Sequence, residues 1–294
     1  MAEVSLTIRP LTTPADMLLV EELQRAVWKG DETEIVPAHM LLAVAHGGGV
    51  VLGAYEGQEL VGMVFGFLGA DSASPERVAM ARLKHCSHML AVRPEVRNRG
   101  IGFQLKLAQR QAIVEQGVRL ATWTYDPLLS LNAHLNIRRL GAVCRSYLRD
   151  AYGAMRDDLN AGLTSDRFEV EWWVTSKRVE ARLEARRAPL DLAHFLDAGA
   201  QKLNPSALRL AGWPEPPPSA EQPESNLVLV EIPPDFLALR AADLGLARAW
   251  RDHSRALFEH LFRLGYLVTD FVFLRGETSP RAYYVLIQGE STFG

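Results

Sequence analysis

The stretch His85–Gly102, with the sequence HCSHMLAVRPEVRNRGIG, decides the fold class. It begins as an apolar strand that ends at Val92, turns, and passes through Arg97–Gly102 directly into a helix. Gly100 and Gly102 let the backbone approach a ligand closely, and the amides at the start of a helix attract negative charge. The pattern indicates a phosphate or pyrophosphate site. The alternative is a tight turn in which the glycines serve geometry alone.

The sequence on either side of this stretch predicts alternating strands and helices. The predicted strands are Ser5–Arg9, Val50–Tyr55, Leu60–Leu68, His85–Val92, Leu120–Tyr125, Val143–Leu148 and Phe168–Val174. The predicted helices are Pro14–Trp28, His39–Ala45, Ile101–Gln116, Ser130–Leu140 and Ser176–Ala185. Consecutive hairpin strands followed by strand–helix–strand alternation predict an α/β fold, with a mixed sheet flanked by helices on both faces.

The chain is expected to divide into a larger and a smaller part. Residues 1–185 form the first domain, and 186–225 form a connecting region that contains five prolines between Trp213 and Ser225. Residues 226–294 form a small C-terminal α/β unit. Its elements are a strand Leu227–Ile232, a long helix Asp243–Leu264, and a hairpin of Tyr266–Leu274 and Arg281–Gln288.

A faint repeat links the two parts. The tetrapeptide Arg139–Ala142 (RLGA) precedes one strand, and Arg263–Tyr266 (RLGY) leads into another. Each of these strands is followed by a second one. The C-terminal unit therefore resembles a truncated copy of the second half of the first domain, with a chance match of three residues as the alternative.

Composition excludes several classes of protein. The 294 residues carry a net charge of −3, with 48% apolar and 23% charged residues, which is ordinary globular usage without a basic nucleic-acid-binding face. Two cysteines are too few for a disulfide framework or a cysteine zinc site. His85 and His88 lie three apart on a strand, which turns their rings to opposite faces, so no metal site is expected.

The sequence also bears on location. Met1–Arg9 does not have the form of a signal peptide. The longest uncharged apolar stretch, Leu60–Ala70, is too short to span a bilayer. We therefore expect a cytoplasmic protein with neither membrane nor nucleic acid as a partner.

Three motifs resemble those of the GNAT superfamily of acyl-CoA N-acyltransferases. Arg97–Gly102 fits the signature (Q/R)-x-x-G-x-(G/A), and Leu90–Glu95 resembles the family's fourth strand with its V-x-P-E turn. Asn132 and Leu140-Gly141 resemble the later N-x-x-A…L-G-F motif, and the order of strands is also that of the family. The resemblance covers about residues 5–175. With its C-terminal extension, the chain looks like a little-characterised bacterial subgroup.

The resemblance implies a split sheet in which the strands His85–Val92 and Leu120–Tyr125 diverge around the pantetheine arm of acetyl-CoA or another acyl-CoA. The Arg97–Gly102 amides would hold the pyrophosphate, and backbone groups at Leu90 and Val92 the pantetheine amides. The Leu90 amide would also stabilise the oxyanion of the tetrahedral intermediate. The residues expected to bind CoA are Leu90, Ala91, Val92, Arg97, Asn98, Arg99, Gly100, Ile101, Gly102 and Asn132.

The general acid departs from the family's pattern. The family often uses a tyrosine in the helix that begins near Asn132, and spacing places Ile137 at that position. Tyr125, Tyr147 or water are the candidate substitutes. A thiolate is a good leaving group, so a reaction without any acid is a further alternative.

The strand His85–Val92 offers candidates for the general base. Alternation predicts two faces: one carries Cys86, His88 and Leu90, and the other carries His85 and Ser87. His88 is the first candidate base and His134 the second, because histidine transfers protons near neutral pH. A hydrogen-bonded core histidine is the alternative for His88, and Cys86 is expected to be a small buried hydrophobe.

The expected function is transfer of an acyl group, with acetyl as the first candidate, to the amine of a small molecule or amino acid. The alternatives are an inactive CoA-binding or regulatory module and a succinyl-CoA-dependent amino-acid N-succinyltransferase. Tyr152 and Trp172-Trp173 are candidates for lining the acceptor pocket, with one tryptophan in the core. Arg251 and Arg255 are candidates for binding a carboxylate, or else form a solvated helix face. A homodimer is also considered.

Overall fold

The structure is a computed structural model that describes residues 6–28, 32–71, 75–153, 162–184, 188, 190–209, 212–276 and 279–289. The chain divides into two compact units, and the boundary lies between Trp123 and Thr124. Residues from Thr124 onward thus group with the C-terminal elements, while the division near 185 stays a prediction. Ser5 and Ala185, at the ends of two predicted elements, lie outside the described residues.

The first unit is a sheet covered by helices on both faces. Its elements are β1 (Leu6–Pro10), α1 (Pro14–Val27), α2 (Ala38–His46), β2 (Val50–Glu56), β3 (Glu59–Ala70), β4 (Leu83–Val92), α3 (Ile101–Glu115) and β5 (Leu120–Tyr125), of which the last two residues belong to the second unit. The strands β1 to β4 are antiparallel neighbours in chain order, and β5 runs parallel to β4. The predicted mixed α/β sheet is confirmed.

The two cores of this unit follow from the alternation of apolar residues along β3. Met63 and Phe65 pack with residues of α1 and α2, whereas Val64 packs with Ile101 and Leu105 of α3. Successive side chains of a strand point to opposite faces, so an apolar run buries both faces of the sheet.

The second unit is also built on a sheet. Its elements are α4 (Ser130–Ala133), which continues as a π-helical segment (His134–Arg139), β6 (Val143–Leu148), β7 (Arg167–Trp173), α5 (Lys177–Leu183), α6 (Leu192–Asp197), β8 (Gln201–Lys202), β9 (Ala207–Leu208), β10 (Pro214–Glu215), β11 (Leu227–Ile232), α7 (Phe236–Ala242), α8 (Leu244–Arg263), β12 (Tyr266–Leu274) and β13 (Arg281–Gln288). The strand order is β7-β6-β12-β13-β11-β8, and β9 pairs with β10 separately. The helices α6 and α7 have no counterpart among the predicted elements.

The helix predicted over Ser130–Leu140 is present but widens after its first turn. The Leu140 amide donates to the Leu135 carbonyl, five residues back, and the distance is 2.9 Å. Hydrogen bonds of this span define the π-helix, which is seldom longer than one turn. Sequence periodicity does not distinguish it from an α-helix.

The two copies of the faint repeat have matching geometry. Gly141 and Gly265 both adopt positive φ, at 74° and 84°. Three residues later, Cys144 and Val268 each precede a bulge in the hairpin that follows, and these two residues pair with each other where β6 meets β12. The order β7-β6-β12-β13 is therefore symmetric about this pair, which favours an internal repeat over a chance match.

Candidate functional site

The strands β4 and β5 separate after a short contact. They pair only at His85 with Ala121 and at Cys86 with Thr122. From Ser87 to Val92, within the described residues, β4 has a strand partner on its β3 side alone. The pairing of the two strands thus ends at Cys86 and Thr122, as a split sheet requires, and we call the edge of β4 beyond Cys86 the gap.

A β-bulge at His88 corrects the predicted faces of β4. Ser87 lies opposite Gly66 and Met89 opposite Phe65, so His88 is an extra residue with no counterpart on β3. Such a residue shifts the alternation of every side chain beyond it. Leu90 consequently packs toward α3, on the same side as His85 and Ser87, and not on the face predicted for it with Cys86 and His88.

The backbone of β4 presents alternate peptide groups to the gap. The Arg93 amide donates to the Val61 carbonyl of β3 at 2.9 Å. Antiparallel pairing alternates, so Ala91 also faces β3, while Leu90 and Val92 turn their N–H and C=O groups away from β3 and toward the gap. Of the three β4 residues expected to contact CoA, Leu90 and Val92 therefore have backbone groups on the open side, and Ala91 does not.

The turn into α3 forms a concave run of backbone amides. Asn98 and Gly100 both adopt left-handed φ, at 63° and 81°, and Gly100 immediately precedes the helix. Alternating left-handed residues turn successive amides toward one side, which forms an anion-binding concavity at a helix N-terminus. A Cβ added at Gly100 would meet no atom within 4 Å, so the space beside this backbone is open. Ile101 is buried in the core and anchors the turn.

Two arginines flank the turn in different ways. Arg97 is exposed, and its Nε donates to the Val92 carbonyl at 3.2 Å, which brings its charge to the edge of the gap. Arg99 forms an ion pair with Glu56 of β2 at 2.6 Å. An anion at the turn would therefore compete with Glu56 for Arg99 but not for Arg97. Gly102 lies next to Leu90: a Cβ added at Gly102 would be 3.6 Å from a methyl carbon of the Leu90 side chain.

His88 lies at the surface against two aromatic rings. Its ring centroid is 5.3 Å from that of Phe65 and 6.2 Å from that of Phe67. Loss of hydration in this setting lowers the pKa of His88. The imidazole is therefore neutral at pH 7 and able to accept a proton.

Beneath the sheet, His85 belongs to a buried polar network that sequence reasoning missed. Lys106 of α3 donates to Ser87 Oγ at 3.1 Å and to Gln109 Oε1 at 2.8 Å. The Gln109 amide nitrogen faces His85 Nε2 at 3.2 Å, which makes that ring nitrogen the acceptor. His85 is fully buried, and desolvation together with the charge of Lys106 lowers its pKa to about 4.

Acidification should therefore destabilise the protein through His85. His85 is neutral in the folded protein and gains a proton on unfolding. Its contribution to the free energy of unfolding is therefore fully present above pH 6.5 and is lost as the pH falls through about 4. We expect a loss of about 3 kcal/mol in the free energy of unfolding between pH 7 and pH 4, measured by urea titration. In H85Q this part of the pH dependence should disappear. An identical slope in both proteins would contradict the burial of a neutral His85.

The candidate acids lie in the second unit. Tyr125 is buried, and its hydroxyl is 3.1 Å from that of Tyr284, which donates to the Pro127 carbonyl at 2.8 Å. The Tyr125 hydroxyl is therefore the hydrogen-bond donor to the Tyr284 oxygen. Burial raises the pKa of Tyr125 well above 10. Tyr147 donates to Asp166 at 2.8 Å, and burial raises its pKa as well. Ile137 is fully buried.

Two further predicted site residues follow Tyr125 along the chain. Asn132 is half-buried in α4. His134 begins the π-helical segment, and its pKa is lowered by desolvation and by Arg139 and Arg138. Their roles stay predictions.

The two arginines of α8 contradict both interpretations given to them. Arg251 is 2% exposed and forms a two-pronged ion pair with Asp126, and one of the two bonds is 2.9 Å long. Arg255 binds Asp166 at 2.7 Å. They form neither a solvated face nor a free carboxylate site, because partners distant in sequence neutralise them. Trp172 is fully buried and Trp173 half-buried, as predicted for that pair.

In the C-terminal copy, β11 is the counterpart of β5 and β8 that of β4, and the edge that corresponds to the gap is filled by the chain itself. β8 runs parallel to β11 and pairs with it at two residues, as β4 does with β5. Beyond that contact, the Asn204 side chain binds both backbone groups of Glu231, at 2.7 and 2.9 Å. The Glu231 carboxylate in turn accepts bonds from Ser206 and from Arg281. This buried cluster replaces a partner strand and closes the edge.

The part of the chain that the structure describes contains neither a membrane-spanning helix nor a cluster of metal ligands. No described helix has both the length and the apolar character required to cross a bilayer. Within the described ranges, no three side chains of His, Cys, Asp or Glu come together in a way that could hold a metal ion.

Comparison with known proteins gave no match to a family model and none to a curated protein. Solved structures of GNAT-family acetyltransferases do match. Arabidopsis thaliana NAA60 in complex with acetyl-CoA is 17% identical and has a TM-score of 0.46, and the match covers 57% of this chain and 99% of that one. The ribosomal-protein-S18-alanine N-acetyltransferase of Escherichia coli is 12% identical, with a TM-score of 0.44 and coverages of 58% and 94%.

An acetyltransferase of the GNAT family from Streptococcus pneumoniae is 16% identical, with a TM-score of 0.43 and coverages of 57% and 98%. The matched portion is thus little more than half of this chain. At these identities, the function proposed below rests on the gap beside β4 and the turn into α3.

Proposed function

We propose that this chain is an acyl-CoA-dependent N-acyltransferase, with an acetyl group transferred to the amine of a small molecule or amino acid. The observation that carries the proposal is the gap between β4 and β5. Leu90 and Val92 turn backbone groups into it that have no strand partner, and it ends beside the left-handed turn at Asn98–Gly100. The amides of pantetheine can hydrogen-bond to the backbone groups of Leu90 and Val92. A pyrophosphate can bind to the backbone amides of the turn at Asn98–Gly100.

Binding is assigned along the gap in chain order. Leu90 and Val92 hold the pantetheine amides through backbone hydrogen bonds, in the manner of an added strand. The amides of residues 98–102 and the Arg97 guanidinium hold the pyrophosphate. The thioester then lies near Leu90, whose amide is placed to stabilise negative charge on the carbonyl oxygen.

His88 acts as the general base and accepts one proton from the amine. The neutral amine attacks the thioester carbonyl carbon and loses a proton to the imidazole as the C–N bond forms, and the oxyanion is held by the Leu90 amide. Collapse of the tetrahedral intermediate breaks the C–S bond and expels the CoA thiolate. The thiolate then takes a proton from solvent and the His88 imidazolium gives one up to solvent, since the Tyr125 hydroxyl is engaged with Tyr284. A thiol of ordinary pKa near 8.5 needs no stronger acid.

The direct test is release of free CoA thiol from acetyl-CoA in the presence of a panel of amino acids and small amines, followed with a thiol reagent. We expect amine-dependent release. Binding of acetyl-CoA without release for any amine would support the inactive module instead. Release from succinyl-CoA but not acetyl-CoA would change the assigned acyl group.

The closed edge beside β11 predicts the stoichiometry. Asn204 and Glu231 occupy the position that an acyl-CoA would take in the C-terminal copy. We therefore expect isothermal titration calorimetry to give one acetyl-CoA per chain. Two equivalent sites per chain would show that this edge opens, and would contradict the reading of the C-terminal copy as closed.

A further inference from the structure

Lys106 is a buried lysine that the proposed mechanism does not use. It lies on the sheet-facing side of α3 and is 2% exposed. Its amine contacts three elements of the first unit: Gln109 of α3 at 2.8 Å, Ser87 of β4 at 3.1 Å, and the ring of Trp123 of β5, whose centroid is 3.6 Å away.

The contacts of the Lys106 amine with β4 and β5 lie one residue beyond the last pair between these strands. Cys86 and Thr122 form the last pair between β4 and β5. The next residue on each strand is Ser87 and Trp123, and these are the two that the Lys106 amine contacts. The amine therefore lies at the point where the two strands part.

Stability alone does not account for a lysine at this place. Burying an amine costs several kcal/mol, and a well-packed apolar side chain of similar volume is often neutral or stabilising in such a position. Desolvation lowers the pKa of Lys106, in keeping with that cost. An aliphatic side chain would retain the packing but lose both the hydrogen bond to β4 and the polar contact with the Trp123 ring.

We propose that Lys106 is a positioning residue that sets the point at which β4 and β5 separate. The amine holds Ser87 through a hydrogen bond and holds Trp123 by contact with its ring face. Without it, the parallel pairing of β4 with β5 can extend by one step to Ser87 and Trp123, because the two strands are already in register at Cys86 and Thr122. The gap would then shorten from its inner end. This inference rests on the proposed function, since it concerns the gap assigned to acyl-CoA.

The test is the variant K106M, which keeps the length of the side chain and removes its polar head. We expect an unfolding free energy equal to or above that of wild type in urea titrations. We also expect acetyl-CoA to bind at least tenfold more weakly in calorimetry. Hydrogen exchange read by mass spectrometry should show slower exchange in a peptide that covers Ser87–Val92. The control Q111M alters an exposed residue of α3 and should leave all three quantities unchanged.

A second variant keeps the inference testable if K106M fails to fold. S87A removes the β4 contact of the amine, together with the hydrogen bond that Ser87 donates to Gln109, and should weaken acetyl-CoA binding in the same direction. Wild-type affinity in both folded variants, or in S87A alone if K106M is unfolded, would overturn the role of Lys106 and leave the proposed function standing. Absence of acetyl-CoA binding to the wild-type chain would overturn both.

Discussion

The double variant R97E/G100W should bind acetyl-CoA at least 100-fold more weakly than the wild-type chain in calorimetry. Arg97 is the flanking cation not held in an ion pair with Glu56, and its reversal places a negative charge beside the phosphates. An indole at position 100 extends into the open space in front of the amides. Loss of about two hydrogen bonds to a charged group, at about 1.5–3 kcal/mol each, corresponds to this factor.

The control for this variant must carry the same backbone strain and the same change of charge. Gly100 has φ of 81°, where any other residue costs about 1–2 kcal/mol. The double variant R119E/G100A has that strain and the same charge reversal, because Arg119 is exposed beyond the far end of α3. We expect it to bind acetyl-CoA within about fivefold of wild type. Equal affinities for R97E/G100W and wild type would remove the turn from the binding site.

The variant H88Q should lower kcat about 100-fold while acetyl-CoA binds with wild-type affinity. General base catalysis by one side chain contributes about 10²–10⁴-fold. His88 is the extra residue of the bulge, and desolvation beside Phe65 and Phe67 lowers its pKa. It therefore stays a proton acceptor at pH 7 and below.

The pH profile separates this role from a structural one. In the wild type, kcat/KM should fall only below the ordinary histidine pKa of about 6.5, and this acid limb should disappear in H88Q. The control H39Q changes an exposed histidine of α2 and should keep both the rate and the limb. An unchanged rate in H88Q would exclude His88 as the base.

Local patterns predicted most elements of the fold. The strands β5, β11, β12 and β13 begin and end at the residues expected, because apolar runs there are bounded by glycine or polar turns. Gly117 adopts φ of 72° and follows α3 closely, as its position in the sequence predicted.

The candidate site was only partly predictable. Arg97–Gly102 is a local pattern, and the left-handed Gly100 follows from it. The bulge at His88 is set by the register of β4 against β3, which no single strand specifies. The pairing of Arg251 with Asp126 joins residues 125 positions apart. The network of Lys106 and Gln109 did have a signal, since these polar residues interrupt the apolar face between Leu105 and Ile113.

Binding of an acyl-CoA to this chain is tested most directly by thermal melts of the wild-type protein with CoA, acetyl-CoA and succinyl-CoA, with NAD as the control. A ligand at 100 times its Kd stabilises the folded state by about 2.7 kcal/mol, and Tm rises accordingly. We predict a rise with acetyl-CoA and none with NAD. A cooperative melt that no CoA species shifts would contradict the account, because the gap beside β4 and the turn into α3 would then be structural features alone.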